Sequence, residues 1–194
     1  MQNASIRRHS CPRHLELARD LPVEQLLQLY RSSELDTLGL TDEGRNAARI
    51  AASNFDRNWT PHIILHSPMR RALETAEIWA ETLGLPMRED YALSELRPPV
   101  AILRKTLRTL SAKPPLDVRQ IMTATMGVWM KHGILETVVR DAMTAIKTCD
   151  ENCLVISHGW LMRAIQVEAG LNAFLSHPGF EFNSGFDIIF RPHH

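Results

Sequence analysis

The chain lacks any long hydrophobic run. Nothing in its 194 residues approaches the ~20 consecutive apolar positions a membrane span needs, and its charged N-terminus has no apolar region of signal-peptide type. A membrane span is thereby excluded, and the cytoplasm is the expected compartment. Net charge is missing too. With 22 basic and 22 acidic residues cancelling, no global field draws the protein to nucleic acid or to an anionic membrane, so any anion site has to be local. Cysteine is scarce: Cys11, Cys149 and Cys153 cannot all pair, and their spacing is not that of a double Cys-x-x-Cys zinc site. There is no internal repeat and no low-complexity tract. What is present is an ordinary globular composition, 44% hydrophobic and 23% charged, on a length suited to one domain, residues 1–194, with a sizeable core.

The most informative stretch runs from Cys153 to Gly170. Cys153-Leu-Val-Ile-Ser157 is short, apolar and rich in β-branched residues, the pattern of a strand covered on both faces. His158 is a one-residue corner, Gly159 allows a tight turn, and the helix that follows is expected to stop at Gly170. In an open α/β sheet, ligands bind beyond the carboxyl ends of the strands, where helix N-termini present bare N–H groups. An imidazole is therefore placed beside an anion-binding helix start.

Taken in order, Ser5 to Arg8 reads as a polar first strand ended by Arg8-His9-Ser10-Cys11-Pro12, since a proline so close behind breaks the ladder. Pro22 to Tyr30 reads as a helix. A second helix should start at Thr41, a good N-cap followed by two acids, and run to about Asn54 with a small-residue face at Ala47, Ala48 and Ala51. Ile63, Ile64 and Leu65 make a buried strand closed by His66-Ser67-Pro68. Ser67 is expected to cap a helix from Met69 to Leu83 that Gly84 stops, with Ala72, Ala76, Trp79 and Leu83 on its core side. Arg71 falls in the first turn of that helix, where the helix dipole disfavours a cation unless an anion binds there. Leu85 to Arg88 reads as an edge strand tolerating Pro86, and Tyr91 to Pro99 as a loop carrying Glu95. From Val100 to Ile146 helices are expected, broken at Lys113-Pro114-Pro115 and near Gly133. Met122, Met126, Trp129 and Met130 form one soft apolar stripe, suited to core or to a pocket wall. Phe186 to Phe190 reads as a closing strand. His193 and His194 are given no role.

Arg8-His9, Arg71 and His158 thus sit at separate strand ends or helix starts that a parallel sheet would bring to one rim. Read jointly, the motifs resemble the histidine phosphatase superfamily, the phosphoglycerate mutase-like fold. Arg8-His9-Ser10 is similar to its Arg-His-Gly signature. Ser67-Pro68-Met69-Arg70-Arg71-Ala72-Leu73-Glu74-Thr75-Ala76 is similar to its Ser-Pro-x-x-Arg-Ala-x-x-Thr-Ala helix start. Ser157-His158-Gly159 matches its Ser-His-Gly corner, and Leu40-Thr41-Asp42-Glu43-Gly44 its Leu-Thr-x-x-Gly start. The resemblance spans residues 6 to 190 in family order.

It implies a three-layer α/β/α sandwich with a mostly parallel central sheet and a helical insertion at about 97–150. It implies His9 as the nucleophile that takes a phosphoryl group, Glu95 as proton donor, and Arg8, Arg71, His158 and the Gly159 helix start as the phosphate holders. These residue types suit the chemistry: a neutral imidazole is a competent nucleophile near pH 7, and guanidinium groups give fixed donors to phosphoryl oxygens. The implied enzyme is a phosphomonoesterase working through phosphohistidine, with no cofactor and no metal, and with a raised Glu95 pKa. Its partner is a small phosphomonoester or a phosphoprotein, not nucleic acid or a membrane, and the protein is a monomer or homodimer. Pro12-Arg13-His14-Leu15 and Leu96-Arg97-Pro98-Pro99 depart from the mutase pattern and favour a phosphatase. A mutase, a phosphohistidine-protein phosphatase and a non-catalytic phosphate-binding scaffold stay open as alternatives. A metal hydrolase built on His9, His66 and His158 lacks a ligand motif such as His-Glu-x-x-His. Specificity is expected from Pro12 to Leu38 and from Leu96 to Gly133, with Trp and Met hinting at an apolar leaving group.

Overall fold

The computed structural model describes residues 2–8, 20–56, 59–111, 118–130, 134–149, 151–168 and 185–190. The elements in chain order are β1 (Gln2–Arg8), α1 (Val23–Arg31), α2 (Glu34–Thr37), α3 (Asp42–Ser53), β2 (Ile63–His66), α4 (Arg70–Leu83) and β3 (Met87–Glu89). A 3₁₀ turn (Tyr91–Leu93) follows, then α5 (Val100–Thr109), α6 (Val118–Met130), α7 (Ile134–Lys147), β4 (Cys153–Ser157), α8 (Gly159–Glu168) and β5 (Gly185–Phe190). The sheet order is β3-β2-β4-β1-β5. β3, β2, β4 and β1 run parallel, and β5 pairs antiparallel with β1 at one edge. This is the mostly parallel α/β architecture the motifs imply.

The two faces of the sheet are sorted by strand alternation, because successive side chains point to opposite sides. Leu65, Cys153 and Val155 join Met126, Trp129, Val139, Ile146, Trp160 and Ile165 in a core beneath α6, α7 and α8. Ile64, Leu154 and Ile156 join Ala48, Ala52, Ala72, Ala76 and Trp79 beneath α3 and α4. The second face is a close helix pair. Small residues let α3 approach α4, and Trp79 fills what they leave, edge-on to Phe55 with ring centroids 5.3 Å apart. A smaller cluster of Leu26, Leu27, Leu103, Leu107 and Ile121 binds α1 to α5 and α6. Cys153 is a buried core residue, and burial pushes its thiol up to about 12.

Several boundaries shift for stated reasons. The first strand is longer than Ser5 to Arg8 and sits inside the sheet, bonded on both sides; ladder partners outweigh the poor propensity of its polar residues. On α3 the buried small residues are Gly44, Ala48 and Ala52, with Ala47 and Ala51 half-buried, so the face is turned by one position. Thr41 caps it as expected, its Oγ1 accepting from the Gly44 N–H at 3.1 Å. α4 ends at Gly84, whose φ of 68° is the left-handed conformation glycine adopts without strain. The edge strand forms after Pro86 rather than through it, because the proline has no N–H to give the ladder, although its carbonyl still accepts from the Ile64 N–H. The expected breaks at Lys113-Pro114-Pro115 and Gly133, the side chains of Met122 and Met130, and the stop at Gly170 lie outside the described residues, as do His193 and His194.

Candidate active site

Three parallel strands end together. Arg8 pairs with Ser157, and His66 pairs with Ile156, so Arg8, His158 and Ser67 mark the carboxyl rim of adjacent strands. His9, the next residue after β1, lies outside the described residues, as does the Arg8 side chain.

At this rim Ser67 has a different task from the one its sequence context suggests. It does not cap α4: the helix begins at Arg70, Met69 is its extended N-cap, and no side chain caps it. The Ser67 hydroxyl instead accepts from the Met69 N–H at 3.2 Å and meets His158 Nε2 at 2.7 Å. Pro68 cannot donate, so the first amide that can meet the hydroxyl is that of Met69. The backbone N–H of Ser67 bonds the Ile156 carbonyl, which ties the end of β2 to β4 just before the histidine. His158 is fully buried, and the serine fixes the plane of its ring.

Glu95 comes to the same corner from the other side. Its Oε1 accepts from the Trp160 N–H at 3.1 Å and from the Leu96 N–H at 3.1 Å. Trp160 is the second residue of α8, so the carboxylate sits on the N-terminal turn that His158 and Gly159 open. Its loop is held there by the Ser157 hydroxyl, which donates to the Leu93 carbonyl at 2.9 Å.

Arg71 lies in the first turn of α4, 2% exposed. It donates to the Leu35 carbonyl at 2.5 Å and contacts Met69 Sδ at 3.2 Å. The phenol of Tyr30, on the last turn of α1, joins these pieces. Burial and the Glu95 carboxylate push it up to about 12, while Arg71 and Arg97 pull the other way, so one hydroxyl lies in the field of all three. Arg97 in turn is ion-paired with Asp36 and donates to the Ser32 carbonyl. Four candidate groups therefore converge: Arg71, Glu95, His158 and the Gly159 helix start. Tyr30 and Arg97 escape sequence reading, since neither stands in a motif; only the fold brings α1 and the loop after Glu95 alongside α4.

A cavity of about 460 Å³ opens beside Glu95, walled by Tyr91, Ser94, Glu95, Arg97, Trp129 and Asp141 among others. A second, of about 370 Å³, lies near the amino ends of β2 and β3 between Phe55, Trp59, Pro61 and Leu85, away from this rim.

Imidazole, guanidinium and carboxylate are thus gathered beyond the carboxyl ends of a parallel α/β sheet, where open α/β folds bind their ligands. Residues 28–178 match the family described as the histidine phosphatase superfamily (branch 1), and the chain belongs to that superfamily. The match begins after the Arg8-His9-Ser10 signature. No curated protein matches the sequence. Among solved structures, a phosphoglycerate mutase from Bacillus anthracis str. Sterne is similar at 15% identity with a TM-score of 0.63, covering 98% of this chain and 88% of that one. A mycobacterial glucosyl-3-phosphoglycerate phosphatase in complex with VO3 is similar at 19% identity, TM-score 0.59, covering 95% and 89%. A phosphoserine phosphatase mutant from Entamoeba histolytica in complex with phosphoserine is similar at 16% identity, TM-score 0.57, covering 98% and 92%. At such identities the likeness is one of fold. No helix among the described residues is long and apolar enough to cross a membrane.

Proposed function

We propose that the protein is a phosphomonoesterase that works through a phosphohistidine at His9, in one domain and with neither cofactor nor metal. The observation that carries this reading is the corner itself: a buried imidazole held by Ser67, with the Glu95 carboxylate on the helix start that follows it. The pairing of Arg8 with Ser157 supports a role for His9 beside His158, because the two histidines are the next residues along neighbouring parallel strands.

In the first step a His9 ring nitrogen attacks phosphorus and the P–O ester bond breaks. Arg8, Arg71, His158 and the N–H groups opening α8 hold the phosphoryl oxygens. Because Arg71 and His158 are buried, a phosphoryl group held by them is largely desolvated, which strengthens each charge-assisted bond. Glu95, protonated once substrate brings its negative charge near, gives its proton to the departing alkoxide. In the second step water attacks phosphorus, the P–N bond breaks, the proton from water goes to the Glu95 carboxylate, and inorganic phosphate leaves.

The test is to mix the protein with p-nitrophenyl phosphate, quench it, and look by mass spectrometry for an acid-labile phosphoryl adduct on the peptide that contains His9. The adduct and the steady-state turnover are expected to vanish together in His9→Ala. Turnover that persists in His9→Ala, or an adduct on another residue, refutes the mechanism.

A further inference from the structure

The turn from α7 to β4 brings two thiols together well away from the rim. Cys149 follows the end of α7, its N–H bonded to the Ile146 carbonyl at 3.2 Å, and Cys153 is the first residue of β4. Strand alternation turns Cys153 and Val155 to the face beneath α6, α7 and α8, and Cys149 packs against that same cluster. The Cys149 and Cys153 thiols are hydrogen-bonded to each other, so the two sulfurs are already neighbours. The far side of the turn is anchored too, since the Asn152 carbonyl accepts from the His62 N–H at 2.8 Å. Access separates the two: Cys149 is half-buried, whereas Cys153 is fully buried. Burial and the neighbouring thiol keep the proton on Cys153, and the Arg88 guanidinium pulls the other way without overcoming them. Cys153 is therefore a poor first target for an oxidant, and Cys149 is the one a small oxidant reaches.

We infer that Cys149 and Cys153 are a modification site for hydroperoxides, which join them in a disulfide that staples the end of α7 to the start of β4. Cys149 reacts first. Its sulfur attacks one oxygen of hydrogen peroxide, the O–O bond breaks, the thiol proton goes to the departing oxygen, and water leaves behind a sulfenic acid. The Cys153 sulfur then attacks the Cys149 sulfur, the S–O bond breaks, and the Cys153 proton leaves with the hydroxide as a second water. Two thiols lose two electrons in all, and one peroxide becomes two waters. Contact favours this second step over further oxidation, because a thiol already beside the sulfenic sulfur has a far higher effective concentration than a peroxide in solution. The bond is reversible by thiol exchange, and it ties down the strand at the centre of the sheet. His158 lies beyond the opposite end of β4, so the inference stands apart from the phosphatase reading.

The experiment exposes the folded full chain, carrying Cys11→Ser to remove the third cysteine, to hydrogen peroxide. Remaining thiols are then blocked with N-ethylmaleimide in denaturant, and the protein is digested with trypsin. Both thiols fall in one peptide, residues 148–163, because no lysine or arginine stands between Lys147 and Arg163. That peptide is expected to be about 2 Da lighter than its reduced form, to carry no maleimide, and to take a label on each cysteine when dithiothreitol precedes blocking. Adding Cys149→Ser should leave Cys153 fully alkylatable after the same exposure. Adding Cys153→Val, which keeps an apolar side chain in the core, should stop the reaction at the sulfenic acid, and dimedone labelling of Cys149 should rise by about tenfold. If Cys153→Val does not fold, the peptide mass and Cys149→Ser decide the matter between them. A sulfinic acid on Cys149 with Cys153 still alkylatable overturns the inference. So does a disulfide that joins two copies through Cys149, or a pair of thiols that peroxide leaves untouched.

Discussion

Two carboxylates in this molecule each pin a backbone amide far away in sequence, and their surroundings make them opposites. Glu74, on α4, accepts from the Leu40 N–H at 2.7 Å, and its two oxygens also receive Arg45 and Arg70 at 2.8 Å each. It is 7% exposed, and Gly39 is pressed so close that an added Cβ would stand 2.7 Å from its Oε1. Burial alone would raise its pKa, but the Leu40 N–H, Arg70 and Arg45 outweigh that and hold the carboxyl below its ordinary value of 4.5. Glu95 likewise holds the Trp160 amide, yet it is only half-buried and forms a cavity wall. The same bond to a backbone N–H thus serves a fixed charge in one place and a reachable one in the other. Packing, not residue type, decides which acid a ligand can reach.

The largest separation between them should appear in activity. Glu95→Gln keeps the shape and one acceptor for Trp160 but removes proton transfer, and turnover of p-nitrophenyl phosphate should fall by about 10²–10⁴-fold with little change in melting temperature. A variant with near wild-type kcat erases the distinction. Glu74→Ala should do the reverse, lowering stability in urea titrations by about 1–3 kcal/mol through an orphaned Leu40 N–H and two freed guanidiniums. Its remaining activity at low temperature should stay within about tenfold of wild type, because the site touches Glu74 only through the backbone of α4.

The contrast sharpens with pH. Because the folded-state pKa of Glu74 lies below its unfolded value, its contribution is complete above about 4.5 and is lost as pH falls through the lower, folded value. The stability gap between the wild type and Glu74→Gln should therefore stay level from pH 7 to about pH 5 and narrow below about 4.5 when unfolding is measured down to pH 3. Ser67→Ala should have a smaller effect, about 1 kcal/mol or less from a neutral hydroxyl bond, together with a shift in the pH profile of kcat as His158 loses its fixed orientation. With no effect on activity expected, Gly84→Ala should cost about 1 kcal/mol of stability by forcing a side chain into the left-handed cap, with kcat unchanged.

The parts of this fold that show in the sequence are those where one local signal suffices. The run from Cys153 to Gly159, the Thr41 cap and the Gly84 stop carry their geometry in residue type and spacing, and each forms as that spacing implies. Ser67 shows the limit. A serine before a proline has the form of a helix cap, but its hydroxyl is shared between the Met69 N–H and the His158 imidazole, 91 positions later, and no side chain caps the helix. Glu74 is equally hidden: nothing in its neighbours foretells that Leu40 and Arg45 fold over it. Glu95 is visible only through family resemblance, since an acid in a loop is ordinarily solvated, and its bond to Trp160 depends on where β4 delivers α8. Trp129 has the same periodicity as any core residue, so the cavity it borders is invisible before the helices are assembled.

The ladder around β1 has a consequence for synthesis. Its two partners are residues 153–157 and 185–190, so β1 waits for segments well over a hundred residues later before either edge is filled. A nascent fragment that stops short of β4 cannot bring Arg8 alongside Ser157, so the rim assembles late in synthesis, only after β4 has emerged.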